Sequence, residues 1–112
     1  MKSTALKLLL CSVIATFSSG VLARGDAAAG QAKAKQVCAA CHGENGDKPL
    51  QPEYPILAGQ HVDYLAKALK DYKSGARKNA IMGAMAQPLT AKDISDVTAW
   101  FASQPGPLQV KR

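Results

Sequence analysis

The chain has 112 residues, a formal net charge of +6 and three cysteines, which limits it to one small domain. Its basic residues are scattered, since no run of lysine or arginine exceeds two. A mild, dispersed positive charge suits a surface that meets acidic proteins, and it does not favour binding to nucleic acid.

The first 23 residues predict a secretory signal peptide. They combine a positive start, an almost unbroken apolar run over residues 8–17 that contains Cys11, and small residues ahead of Ala23. We expect cleavage after Ala23, a mature domain of residues 24–112 with a formal charge of +4, and a location in the periplasm. A retained membrane anchor is the alternative, but the run is shorter than the about 20 apolar residues that a span needs.

The first predicted helix begins after Asp26, a good N-cap residue, and continues to about Val37. Ala27, Gly30 and Ala34 share one face of this helix. Because these side chains are small, the face lets another helix approach closely.

The middle of the chain alternates between loop and helix. Residues 42–59 contain three prolines and three glycines and no strand pattern, which predicts a loop. From His61 onward apolar residues recur at three- and four-residue steps, so we expect a helix that Gly75 ends. Residues 76–88 are predicted to be a second irregular stretch.

The last predicted helix opens with a capping box formed by Thr90 and Asp93, and Pro105 and Pro107 end it. The pattern therefore predicts an all-α fold of three main helices joined by long loops, with no sheet.

One motif carries chemistry. Cys38, Cys41 and His42 form the pattern C-x-x-C-H, the attachment signature of c-type haem. Two thiols three residues apart on a helical turn can add to the two vinyl groups of one haem, and His42 is then placed to ligate the iron. A disulfide would close only a tiny loop, and a thioredoxin-like dithiol needs a preceding strand. A zinc site would lack ligands, because His61 is the only other histidine.

A covalently bound haem c would also explain how so small a domain fills its core. Its expected apolar neighbours are Ile56, Leu57, Leu65, Leu69, Ile81, Leu89 and Ile94.

The sixth ligand of the iron has three candidates, Met82, Met85 and His61. A methionine opposite a histidine raises the reduction potential, as suits an electron carrier. The two methionines lie in the same irregular stretch, which favours one ligand and one side chain that fills space. His61 stands between polar Gln60 and Asp63 at the start of a helix, which indicates exposure.

Together these residues resemble class I c-type cytochromes, especially small bacterial monohaem proteins of the c-553 and c-four types. The resemblance covers nearly all of the mature chain and is carried chiefly by residues 38–43 and 55–60. It implies a class I cytochrome c fold wrapped around one haem. It also implies that Gly30 marks the crossing of the first and last helices, under Trp100 or Phe101.

The resemblance implies a role for each site residue. Met82 stands where these proteins carry the axial methionine, so His42 and Met82 are the expected metal ligands. The carbonyl of Pro55 is expected to accept a hydrogen bond from His42, which would fix the imidazole ring. The expected cofactor-binding residues are Cys38, Cys41, His42, Pro55 and Met82.

The implied function is electron transfer in the periplasm, without enzymatic activity, because iron with both axial positions filled cannot bind a substrate. The alternative is a haem subunit or domain of a larger periplasmic oxidoreductase complex. An enzyme or ligand sensor would need an open iron position and a polar residue beside it, for which Arg77 is the nearest candidate. The expected partners are redox proteins with acidic docking surfaces, with no nucleic acid and no stable membrane insertion after signal cleavage.

Overall fold

The computed structural model describes residues 24–109, so the predicted signal peptide, residues 1–23, lies outside the described part. The described residues form five helices and no strand, and no helix among them is long and apolar enough to cross a membrane. The predicted all-α fold is confirmed for the described residues, with two short helices added to the three main ones. The helices are α1 (Ala27–Val37), α2 (Ala39–His42), α3 (Val62–Ser74), α4 (Ala80–Ala86) and α5 (Ala91–Ser103).

Helices α1 and α5 cross with their backbones in contact. Gly30 is buried at the crossing, where an added Cβ atom would lie 1.9 Å from the carbonyl oxygen of Asp96. The expectation that this glycine lies under Trp100 or Phe101 is therefore wrong by about one helical turn. The closest approach is to the backbone of Asp96 and Val97, whereas Phe101 is buried with Ala34 and Leu65 and Trp100 packs against that cluster.

Side chains fix the beginnings of both helices. Asp26 accepts two N–H bonds from the first turn of α1, at 2.9 and 3.1 Å. Thr90 and Asp93 form the predicted capping box of α5, with hydrogen bonds of 2.9 and 3.0 Å. The backbone N–H of Asp26 also donates to Asp96 at 2.8 Å, and Lys92 pairs with the same carboxylate. Both contacts hold the pKa of the Asp96 carboxyl group below its usual range, and the contact with Lys92 has the larger effect.

The hydrophobic core lies between α1, α3 and α5. Its buried members are Ala34, Leu65 and Phe101, one from each helix. Trp100 packs against this cluster, and its indole N–H donates to the carbonyl of Glu44 at 3.2 Å. The last helix is thereby tied to the loop that follows α2.

The long loop and α3 match their predictions. No helix forms between α2 and α3, and His61 stands at the N-cap position of α3. Gly75 ends the helix with a φ of +84°, in the left-handed region that favours glycine.

Residues 76–88 are not wholly irregular, because they contain α4. Asn79 caps this helix by accepting N–H bonds of 3.1 and 2.9 Å from its second and third residues. The helix has seven residues and includes Gly83, so its own propensity is weak. Packing against α3, with Ala86 fully buried, supplies what the local sequence lacks.

Candidate haem-binding site

All five helices contribute to the wall of one cavity, whose volume is about 610 Å³. Cofactor sites commonly occupy about 300–1,000 Å³ and have mainly apolar walls. The five predicted cofactor-binding residues all line this cavity, although they are spread over residues 38–82 of the chain. Six of the seven expected apolar neighbours line it as well, whereas Ile94 is buried elsewhere.

Cys38 and Cys41 are half-buried thiols on the cavity wall, and neither forms a disulfide. Cys38 lies between the two helices, as the C-cap of α1 and the N-cap of α2, so the chain changes direction at the first thiol. Burial raises the pKa of the Cys38 thiol to about 11. Redox-active dithiols have lowered pKa values, so this environment does not favour a thioredoxin-like site. No group of three or more histidine, cysteine, aspartate or glutamate side chains that could hold a metal ion forms within residues 24–109.

His42 lies at the end of α2, and only 6% of its surface is exposed. Its Nδ1 atom is 2.9 Å from the carbonyl oxygen of Pro55. A carbonyl can only accept, so Nδ1 carries a proton, and in the neutral ring Nε2 then keeps a free electron pair. This is the tautomer that an iron ligand requires, and the hydrogen bond fixes the orientation of its ring.

The loop between α2 and α3 holds Pro55 in place by closing back on itself. The carbonyl of Gly46 accepts N–H bonds from Leu57 at 2.8 Å and from Ala58 at 3.1 Å. Gly46 has a φ of +73°, and an added Cβ atom would lie 2.7 Å from the Phe101 ring. The loop can therefore pack on α5 only with glycine at this position.

Two methionines of α4 line the cavity. Met82 is half-buried, whereas Met85 is 43% exposed. Because they are three residues apart on one helix, they share a face of α4. His61 is exposed and does not line the cavity, so it is separated from the two methionines.

Three tyrosines of the wall were missed as site residues: Tyr54, Tyr64 and Tyr72. Tyr64 and Tyr72 are eight residues apart on α3, a spacing that places them on one helical face and could have revealed them. The guanidinium of Arg77 lies 4.9 Å from the centre of the Tyr72 ring. The Tyr64 side chain, and then Tyr72, raise the pKa of Arg77 above its ordinary value.

The donor set of the cavity fits a haem. Two thiols and an imidazole with a free Nε2 lie on α2, and thioethers line the wall from α4. Arg77 is the only lysine or arginine among the wall residues of the described chain, and it offers a positive charge for a propionate. The apolar remainder of the wall suits the porphyrin ring.

Comparison with known proteins gives consistent matches. The sequence profile of the family described as Cytochrome c matches residues 27–105. Cytochrome c4 of Pseudomonas aeruginosa is 47% identical over 98 residues, covering 86% of this chain and 48% of that protein. Cytochrome c-554(548) of Halomonas halodenitrificans is 47% identical over 83 residues, covering 71% of this chain and 98% of that protein.

Among solved structures, reduced recombinant cytochrome c4 from Pseudomonas stutzeri superposes with a TM-score of 0.67 and 44% identity. The match covers 73% of this chain and 47% of that chain. The present chain thus spans about half the length of the cytochrome c4 proteins that it matches.

Proposed function

The chain belongs to the cytochrome c family, and on that premise we propose that it is a periplasmic electron carrier with one covalently bound haem c. The observation that carries this proposal is the convergence of two thiols, an oriented imidazole and a thioether on one cavity. When bound, the haem supplies a one-electron change between ferrous and ferric iron.

The residues of α2 would hold the cofactor from one side. The thiols of Cys38 and Cys41 would each add across a vinyl group, with sulfur bonding to one carbon and a proton reaching the other. Nε2 of His42 would donate its electron pair to the iron, and the Pro55 carbonyl would keep the ring from rotating. Arg77 would pair with a propionate carboxylate.

We propose Met82 as the sixth ligand and Met85 as a space-filling neighbour. Met82 is the more buried of the two methionines, and it holds the position that the family resemblance assigns to the axial ligand. With His42 and Met82 both bound, no position on the iron would stay open for a substrate. The proposal is therefore a carrier and not an enzyme.

Partners with acidic docking surfaces are proposed from the charge of +4 on residues 24–112. Lys67 and Lys70 lie on the side of α3 opposite the cavity-lining residues. They can steer a partner at long range without touching the haem. Transfer rates should fall as salt shortens the screening length below about 10 Å. Rates independent of ionic strength would contradict acidic docking, though not electron transfer itself.

The decisive test is the absorption spectrum of the purified protein in its oxidised and reduced forms. We expect a low-spin haem, a sulfur-to-ferric-iron charge-transfer band and haem colour that persists on a denaturing gel. A colourless protein, or ferrous iron that binds carbon monoxide at once, would refute the carrier proposal. Gel filtration of the native periplasmic extract separates a free carrier from the alternative, a subunit of a larger oxidoreductase complex.

A further inference from the structure

Met82 lies on a helix that its own sequence barely supports. The seven residues of α4 include Gly83 and no charged side chain that could interact with the helix dipole. Isolated helices of this length are not stable in water. The direction of the Met82 side chain therefore depends on the packing of α4 against α3 and on the hydrogen bonds that fix the two ends of α4.

Asn79 fixes the first end through three hydrogen bonds. Its side-chain oxygen accepts the N–H of Ile81 at 3.1 Å and that of Met82 at 2.9 Å. Its backbone carbonyl accepts the N–H of Gly83 at 2.8 Å. Asn79 itself is extended, with φ −159° and ψ 123°, so the chain turns into the helix at this residue. One of the three bonds thus goes to the backbone of the proposed ligand itself.

The second end is anchored in a different way. The side-chain amide of Gln87 donates to the carbonyl of Lys73 at 2.7 Å, which ties the end of α4 to α3. The side chain of Lys73 in turn contacts the carbonyl of Leu89. Asn79 and Met82 both line the cavity, whereas Gln87 does not, so this second anchor stabilises α4 from outside the cavity wall.

We propose that Asn79 is a positioning residue that directs Met82 to the haem iron by holding the backbone N–H of that methionine. The inference rests on the proposed function, since it takes Met82 as the sixth ligand. Asparagine is among the strongest N-cap residues and alanine among the weakest, so replacing Asn79 with alanine should weaken the start of α4. Loosening it should free the thioether while the haem stays attached through α2.

The test compares Asn79→Ala with Gln87→Ala in the haem-loaded protein. Each variant removes one side-chain anchor of α4, but only Asn79→Ala removes a hydrogen bond to the backbone of Met82. The readouts are the charge-transfer band of the ferric protein and the rate at which neutral imidazole displaces the methionine. We expect Asn79→Ala to weaken the band and to speed displacement about fivefold. Gln87→Ala should leave both close to wild type, and Asn79→Asp, which keeps the capping oxygen, should restore them.

Equal effects of the alanine variants would overturn the proposal, because Asn79 would then only stabilise the helix. Failure of Asn79→Asp to restore the band would overturn it too. If Asn79→Ala does not fold, Asn79→Gly gives the same comparison at a smaller cost to the helix start. A wild-type spectrum with haem but no sulfur band would refute Met82 ligation itself, and it would be seen before any variant is made.

Discussion

The α1–α5 crossing and the cavity wall differ in how much of their apolar surface is buried. At the crossing, backbone touches backbone at Gly30, and Ala34, one turn further along α1, is fully buried away from the cavity. Along the cavity, large apolar side chains such as Tyr64 and Ile81 are 54% and 55% exposed. One half of the molecule packs against itself, and the other presents an apolar surface shaped for something else. A core this small would be completed by its cofactor, because Leu65 and Phe101 belong both to the core cluster and to the cavity wall.

The largest expected effect comes from removing the covalent attachment. The double variant Cys38→Ser and Cys41→Ser should lose the haem colour on a denaturing gel. Without the cofactor, α3 and α4 lose the body they pack against, whereas the α1–α5 crossing keeps its contacts. Hydrogen exchange should therefore quicken much more in α3 and α4 than at the crossing. Equal protection in both halves would show that the two regions do not differ as described.

The next effect tests the crossing alone. Gly30→Val places side-chain atoms where Asp96 already lies, and an added Cβ would be 1.9 Å from its carbonyl oxygen. We expect a loss of about 3 kcal/mol or more in the free energy of unfolding, measured by urea titration. Gly75→Ala is the matched control: no atom lies within 4 Å, so only its φ of +84° is penalised. That strain costs about 1 kcal/mol, and equal losses in both variants would contradict the close approach at Gly30.

The cavity wall is tested by its two methionines. Met82→Ala should abolish the charge-transfer band, open the iron to external ligands and lower the reduction potential. Met85→Ala should keep the band and lose only the packing of a cavity-wall side chain, which costs about 1–3 kcal/mol of stability. Spectra and denaturation curves of both variants decide between them. The opposite result would reassign the ligand to Met85 and leave the electron-carrier proposal in place.

The smallest expected effect is a pH dependence confined to the crossing. Lys92 and the N–H of Asp26 lower the pKa of Asp96 in the folded state. The stabilisation is therefore complete above the unfolded value of about 4 and is lost as the pH falls through the folded value. Asp96→Asn should flatten the loss of stability below about pH 4. Asp93, whose pKa the Thr90 hydrogen bonds also lower, should keep part of the slope. An unchanged acid profile would contradict a role for Asp96.

Features encoded by neighbouring residues were predictable from the sequence. Asp26, Gly75 and the pair Thr90 and Asp93 act within one helical turn, and the structure places all of them at helix ends as predicted. The C-x-x-C-H motif is equally local, since its spacing alone brings two thiols and an imidazole onto one short helix. The all-helical fold follows from such signals together with the absence of any strand pattern.

Features that depend on contacts between distant residues were predicted less well. Helix α4 was missed because its own propensity is weak, although Asn79 ahead of an apolar run was a usable N-cap signal. The resemblance correctly paired the first and last helices at Gly30, but it could not give the register of the crossing. Ile94 was expected beside the haem and is instead buried away from the cavity. The apolar periodicity of a helix predicts which face is buried, but it does not predict which element that face packs against.

Trp100 gives the chain an optical reporter of its own. It is the sole tryptophan, and it packs against the same core cluster as Cys38. A porphyrin attached at that cysteine would accept the excitation energy of the nearby indole, so the tryptophan fluorescence of the native holoprotein should be almost fully quenched. Emission should appear when the core separates or when the porphyrin is missing. Fluorescence can therefore follow unfolding and haem loading at tracer concentrations, independently of the oxidation state of the iron.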